Sequence, residues 1–239
     1  MSKRKKIIIA ILVVILAWFG FVIGEIFLGS PDLTQEDKTI LVLALDKYEQ
    51  SGGGCDMAYL VYLENGSLAN YTPVYPGGMS HPSVSATGGL SGNLMLHDCM
   101  MYGADDGMEY AKEIVAARQG VEADAVVAVY DEGLDNIIDS IRPLTVDGEV
   151  TNLTAADIIR ENDAYNGYKS NGWVTGTMSR ADAVMVLVKA LSQAAKDPNK
   201  KATMIQSALT EYNNGNIIMR PDGSFKRLLA TKGFESLAS

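Results

Sequence analysis

Apolar residues recur along the chain in two spacings, and these set out the elements. Thr39–Leu45 (TILVLAL) is a continuous apolar, β-rich run that ends at Asp46, the pattern of a strand covered on both faces. Met57–Leu63 reads as a second strand. The Asn65-Gly66 pair after it is a strong hairpin signal, so Leu68–Thr72 is expected to return antiparallel. Ala125–Tyr130 (AVVAVY) is another buried strand, and Ile217–Met219 an edge strand. Helical spacing marks Asp105–Gln119, with Tyr110, Ile114 and Val115 in phase, Asp105 or Asp106 as cap and Gly120 as stop. Glu132–Ile141 places Leu134, Ile137, Ile138 and Ile141 on one face, and Pro143 follows its end. Thr154-Ala-Ala-Asp157 resembles a capping box and opens a short helix through Arg160. Ser179 opens a longer one whose Val184–Val188 stretch is apolar nearly all round, as in a helix buried within a domain. Ala202–Tyr212 and Ser224–Leu229 complete the helices. Ser51–Gly54 reads as a flexible loop, and Pro73–Gly92, rich in Pro, Gly and Ser, as a long irregular one. Strands interspersed with helices predict an α/β fold, a three-layer α/β/α sandwich around a mixed sheet.

The amino end has a different pattern. Ile7 to Gly24 is an uncharged run of 18 residues, and Ile26-Phe27-Leu28 extends it past Glu25. At about 1.5 Å per residue it can span a hydrocarbon core of about 30 Å with help from its flanks. Lys3, Arg4, Lys5 and Lys6 stand immediately before it and should stay in the cytoplasm. The expected organisation is a basic cytoplasmic head (1–6), a transmembrane helix (7–28), a linker (29–38) and an extracytoplasmic α/β domain (39–239). The rival reading, a cleaved signal peptide, fits less well. The run exceeds a usual signal core, and the small-x-small pattern around Gly24–Ser30 is poor. The expected location is therefore the cell membrane, crossed once, with the amino terminus cytoplasmic and the domain outside.

Composition narrows the function classes. The 239 residues with 47% hydrophobic content supply a core, which excludes a disordered chain. Two cysteines exclude a disulfide-framework miniprotein. Beyond the basic head, 16 basic residues face 29 acidic ones, a net of −13. Such a field repels nucleic acid, which is not an expected partner.

Two carboxylates stand at strand ends. Asp46 closes the first strand and Asp56 precedes the second. Ligands gather at the carboxyl ends of strands in open α/β sheets, and two carboxylates there suit Mg²⁺ or Mn²⁺. The simpler readings are a turn residue for Asp46 and a loop-to-strand cap for Asp56. Arg180 falls in the first turn of its helix, where positive charge is unfavourable unless an anion such as phosphate also sits there. Pairing with Asp182 is the alternative. Arg160 ends the preceding helix, where a cation is favourable anyway. His81 and His97, the only histidines, have no second His or Cys at ligand spacing and read as structural. Cys55 and Cys99 leave open either one disulfide or none. Asn65, Asn70 and Asn152 begin N-x-S/T sequons, of which Asn152, in a loop, is the best glycan candidate. No G-x-S-x-G or H-E-x-x-H sequence occurs, and Gly52–Gly54 lacks the Lys-Ser/Thr ending of a phosphate loop.

The order of these pieces resembles the LytR-CpsA-Psr family over roughly Thr39 to Ala195. Asp46 matches the family's first-strand Asp. Its Arg-x-Asp before the second strand is matched at the acid, Asp56, with Gly54 in place of the Arg. Pro76-Gly77-Gly78 stands where the family has Pro-Arg-Asp. Arg160-Glu161-Asn162 half-matches Arg-x-Arg, and Thr177-Met178-Ser179-Arg180, running on to Val184, keeps only the Arg of Asp-x-x-Arg-x-x-x-Gln. The chain looks closer still to an uncharacterised branch of envelope domains found in methanogenic archaea with a pseudomurein wall, which shares Tyr-Pro-Gly-Gly-Met (75–79) and Gly-Ser-Phe (223–225).

The resemblance implies a Mg²⁺-dependent phosphotransferase acting on a polyprenyl-pyrophosphate-linked glycopolymer. Asp46 and Asp56 would hold the metal, Asp46, Asp56 and Arg180 would be catalytic, and Arg160 and Arg180 would grip phosphate. Its rivals are a non-catalytic wall- or partner-binding scaffold, favoured by the missing arginines, and a subunit of a larger membrane assembly.

Overall fold

The computed structural model describes residues 32–164 and 176–238. The expected head and membrane segment lie outside the described residues. Among the described residues no helix is long and apolar enough to cross a membrane.

Five strands form one mixed sheet in the order β3-β2-β1-β6-β9. Here β1 is Asp37–Asp46, β2 Gly54–Glu64, β3 Ser67–Val74, β6 Ala125–Tyr130 and β9 Ile217–Arg220. The β1–β6 pair is parallel, and β1–β2, β2–β3 and β6–β9 are antiparallel. Asn65 and Gly66 both adopt positive φ, 47° and 73°, as a two-residue hairpin turn between β2 and β3 requires.

Both faces of the sheet are covered, which is why β1 reads as an unbroken apolar run. Leu41, Leu43 and Leu45 point to one face. There they pack with Ala58, Leu60, Val126 and Ala128 against Met108, Ala111, Ile114 and Val115 of α1 (Ala104–Gln119). A short 3₁₀ helix, Leu96–Tyr102, adds Leu96, Cys99 and Met100 to the same core. Ile40 and Val42 point the other way, to Ile137 of α2 (Asp131–Ser140) and Ala208 and Tyr212 of α5 (Pro198–Asn213). Phe225 and Leu229 of α6 (Ser224–Ala238) close that core. The ring of Phe225 stacks on Tyr212 at 5.0 Å, which gives Gly-Ser-Phe a packing role. A satellite core joins α2 to α3 (Ala155–Asn162) and α4 (Arg180–Ala194) through Ile138, Ile141, Ile158, Val186 and Leu187. The mixed α/β layering expected from the sequence is present.

The differences are local. Pro73–Gly92 is not wholly irregular, because β4 (Ser80–Ser85) lies in it and pairs with β5 (Asn93–Met95). Strand β7 (Leu144–Val146) turns at Asp147-Gly148 into β8 (Glu149–Thr151), a hairpin absent from the sequence reading. Neither Asp105 nor Asp106 caps α1; Gly103 holds the cap position, and Asp105 Oδ1 accepts from Arg220 Nε at 2.6 Å. The end of the expected linker packs on the domain, with Leu33 in the core and Asp32 Oδ2 accepting from Arg227 of α6 at 2.6 Å. The Ser51–Gly54 loop is held tightly rather than loosely. A Cβ at Gly52 (φ 85°) would stand 2.1 Å from the carbonyl oxygen of Met100, and Tyr130 donates to the Gly52 carbonyl at 2.7 Å.

Candidate functional site

The parallel strands β1 and β6 end side by side, with Leu45 opposite Tyr130. Asp46 pairs with Gly54 across the ladder, and its Oδ1 accepts the Tyr48 N–H at 2.8 Å. It thus fills the turn role open to it in the sequence. Lys47 donates from this turn to Glu132 Oε2 at 2.6 Å, joining it to the start of α2.

Asp56 owes its position to a β-bulge. Across β1, Ala44 faces Met57 and Leu45 faces Cys55, and Asp56 is the extra residue between them. The extra residue breaks the alternation of faces: Cys55 packs in the α1-side core and Met57 on the opposite side. Bulges re-aim side chains in this way and are common beside sites. The exposed Asp56 joins Glu49, from the loop after β1, and His97, from the 3₁₀ helix. One ligand atom from each of the three lies within 4.8 Å of the others.

Gly54 makes this cluster possible. A Cβ at that position would stand 2.5 Å from Glu49 Oε2 and 3.0 Å from His97 Nε2. The space beside position 54 is therefore filled by a carboxylate and an imidazole. His97 is oriented from behind: its Nδ1 lies 2.7 Å from Asp98 Oδ1, and Gln50 Nε2 donates to the same carboxylate at 2.9 Å and to the His97 carbonyl at 3.1 Å. Its Nε2 faces Glu49 Oε2 at 3.2 Å. Burial opposes charge on His97, but hydrogen bonds to Asp98 and Glu49 outweigh it and raise its pKa.

The two arginines sit on adjoining helix ends. Arg160 lies in the last turn of α3 and Arg180 begins α4; their side chains lie outside the described residues. Met178 donates its N–H to the Asn162 carbonyl at 3.1 Å and accepts from Ala164 N–H at 3.0 Å, tying the end of α3 to the start of α4. One turn on from Arg180, Val184 and Met185 pack on Met57 and Tyr59, just beyond Asp56 on β2. Asp182 is engaged in the α4 cap, where Ser179 Oγ donates to it at 2.7 Å and accepts its N–H at 3.2 Å.

Other candidates fall elsewhere. His81 is buried; its Nδ1 accepts the N–H groups of Ser83 and Val84 at 3.1 and 2.9 Å, and its Nε2 meets Glu113 at 2.5 Å, the structural role expected. Cys55 and Cys99 are free buried thiols in one core, not a disulfide. Two shallow clefts of 170 and 360 Å³ lie between the β7–β8 hairpin and α4, lined by Thr145 and Gln193. Neither is lined by Asp46 or Asp56.

Sequence reasoning missed Glu49 and His97. They stand 48 positions apart, and only the packing of the 3₁₀ helix beside the β1 loop joins them. The one local signal was the Gly52–Gly54 run, which lets the chain return closely enough for Glu49 to reach over Gly54.

A mixed sheet with its parallel pair at the centre, layered by helices and with an acidic cluster at its carboxyl edge, is an α/β fold shared with proteins of known structure. B. subtilis TagV shares 14% identity, with 84% of this chain and 81% of that one covered at a TM-score of 0.52. The transcriptional regulator yvhJ from Bacillus subtilis shares 16% over 84% and 78%, at 0.51. The LytR-Csp2A-Psr enzyme from Actinomyces oris shares 17% over 84% and 77%, at 0.46. The first two matches establish a common fold and, at such identities, the fold alone. Residues 35–165 match the family described as "Protein of unknown function (DUF4012)", and the chain belongs to that family. No curated protein matches it in sequence.

Proposed function

We propose that the protein is an envelope domain, anchored outside the cell membrane by residues 7–28, that binds a polyprenyl-phosphate-linked glycopolymer and transfers it to a wall acceptor. The observation that carries this reading is the bulge at Asp56, which aims a carboxylate into a donor cluster at the carboxyl edge of a fold shared with TagV. The archaeal setting that the motifs suggest belongs to the same proposal.

The donor set at this edge suits a divalent cation, and Gly54 leaves the room in which donors meet. When bound, such an ion supplies charge stabilisation at a phosphoryl oxygen. The chain's own residues do the rest. Arg160 and Arg180, on helix ends tied by the Met178 hydrogen bonds, grip the phosphates. Asp46 accepts the proton of the attacking sugar hydroxyl. A P–O bond to that hydroxyl forms as the pyrophosphate P–O bond breaks, and polyprenyl phosphate leaves.

A second reading, a glycan-binding module without turnover, is favoured by Gly54, since a guanidinium of the clamp is replaced there by Glu49 and His97. One experiment separates the two. The full-length protein in detergent is mixed with polyprenyl-pyrophosphate-linked oligosaccharide, acceptor and either Mg²⁺ or Mn²⁺, and release of polyprenyl phosphate is measured. Release that falls at least tenfold in Arg180→Ala supports transfer. Binding without release supports the module, and neither overturns both.

A further inference from the structure

We infer that Glu49, Asp56 and His97 form a mixed carboxylate–imidazole centre that takes a first-row transition-metal dication, such as Mn²⁺ or Zn²⁺, in preference to Mg²⁺. The inference deepens the proposed function by naming the ligand set and metal class at the same edge, and it rests on that reading only for the metal's purpose.

Three independent features converge. The bulge at Asp56 interrupts the alternation of β2 and sets its carboxylate beside Glu49 and His97. Gly54 leaves unfilled the space that a Cβ would take from Glu49 Oε2 and His97 Nε2. His97 carries an orienting carboxylate: Asp98 Oδ1 at 2.7 Å from Nδ1 favours a proton on that nitrogen, which leaves Nε2, facing Glu49 at 3.2 Å, as the nitrogen that can ligate once it gives up its own proton. Metal-bound histidines are almost always held from behind in this way, and the carboxylate raises the basicity of the ligating nitrogen. Asp98 is held in turn by the Gln50 amide. The metal would replace the hydrogen between His97 Nε2 and Glu49 Oε2, with Asp56 as third ligand and the remaining positions open to water or a phosphate oxygen.

The imidazole decides the metal. Mg²⁺ prefers an all-oxygen octahedron and keeps its waters, whereas imidazole suits the later first-row ions. Asp46, whose Oδ1 is engaged by the Tyr48 N–H, then lies beside the centre rather than in it.

The test is titration of full-length protein in detergent with Mn²⁺, Zn²⁺ and Mg²⁺ separately, together with pulsed EPR of the Mn²⁺ form. One equivalent should bind, Zn²⁺ and Mn²⁺ at least tenfold more tightly than Mg²⁺, with a ¹⁴N coupling from one imidazole. His97→Gln should abolish the coupling and weaken Mn²⁺ at least tenfold, and Glu49→Gln, at a half-exposed loop position, should weaken it without touching the coupling. Asp98→Asn should weaken Mn²⁺ while keeping nitrogen ligation. Failure of all three ions to bind, Mg²⁺ binding as tightly as Mn²⁺, or bound Mn²⁺ without nitrogen coupling overturns the inference. Binding of polyprenyl-pyrophosphate oligosaccharide is followed in parallel. If the oligosaccharide binds while none of the three ions binds with nitrogen coupling, this centre is overturned and the function is not. If the metal binds and the lipid-linked glycan does not, the reverse holds.

Discussion

A Cβ added to Gly54 would lie 2.5 Å from the Oε2 atom of Glu49. The approach is possible only because position 54 has no side chain, and the atom displaced by one is the end of a flexible carboxylate. Gly54→Ala should therefore part Glu49 from His97 while the ladder with Asp46 persists. The expected outcome is at least a tenfold loss of Mn²⁺ affinity with a stability change within about 1 kcal/mol, the scale of an average point substitution. Metal titration and urea unfolding of the same variant check the two halves.

Thr154 and Asp157 cap α3 reciprocally. The Thr154 hydroxyl accepts the Asp157 N–H at 3.1 Å and donates to its carboxylate at 2.7 Å. The helix is eight residues long and carries Arg160, so its first turn matters in proportion. Thr154→Ala should cost about 1 kcal/mol, the usual worth of an N-cap. If Arg160 contacts phosphate, affinity for the lipid-linked ligand should fall as well. Denaturant midpoints and ligand titration measure these effects, and Thr154→Ser should restore both.

Elements that could be read from the sequence have energetics that are local or repeated along the chain. β1 and β6 announce themselves because strands buried on both faces need apolar residues throughout, and α3 and α4 because Thr154 and Ser179 provide their caps. Strand β4 does not, since the polar Ser80–Ser85 pairs only with the three residues of β5. The β7–β8 turn was marked by Asp147-Gly148, both at positive φ, but its strands of three residues are too short to show alternation. Asp105 is a good cap by type, yet Arg220, 115 positions away, claims it. The site divides in the same way. Asp46 and Asp56 are legible as strand-end acids, whereas Glu49 and His97 meet only when the 3₁₀ helix settles on the β1 loop.

The free thiols make a prediction about reactivity. Burial raises the pKa of Cys55 to about 12, helped by the nearby Asp56 charge, and burial likewise pushes Cys99 upward. The reactive species is the thiolate, so neither should react at pH 8 in the folded state. Titration with a thiol reagent should count none in native protein and two in denaturant. A count of none in both conditions would mean a disulfide.

Asp32 sets an acid limit on the docking of the amino-terminal segment. Its carboxylate accepts from the Thr34 hydroxyl at 2.6 Å, the Thr34 N–H at 2.9 Å and Arg227 at 2.6 Å. The two hydrogen bonds from Thr34 chiefly hold its pKa below the ordinary 3.8; burial opposes them, and the Arg227 charge and hydrogen bond add to the lowering. A carboxylate with a depressed folded pKa binds fewer protons folded than unfolded, so its contribution is fully present above the unfolded value. That contribution fades as pH drops below about 4 and through the folded pKa. The pair ties Asp32 to α6, 195 positions away, so its loss should loosen this segment first. Asp32→Asn should destabilise the protein at pH 7, and the difference from wild type should shrink as pH falls toward 3. Denaturant unfolding across pH 3–7, with hydrogen exchange at Leu33 and Thr34 as local readout, measures both. A difference that stays constant with pH would show that the charge of Asp32 contributes nothing.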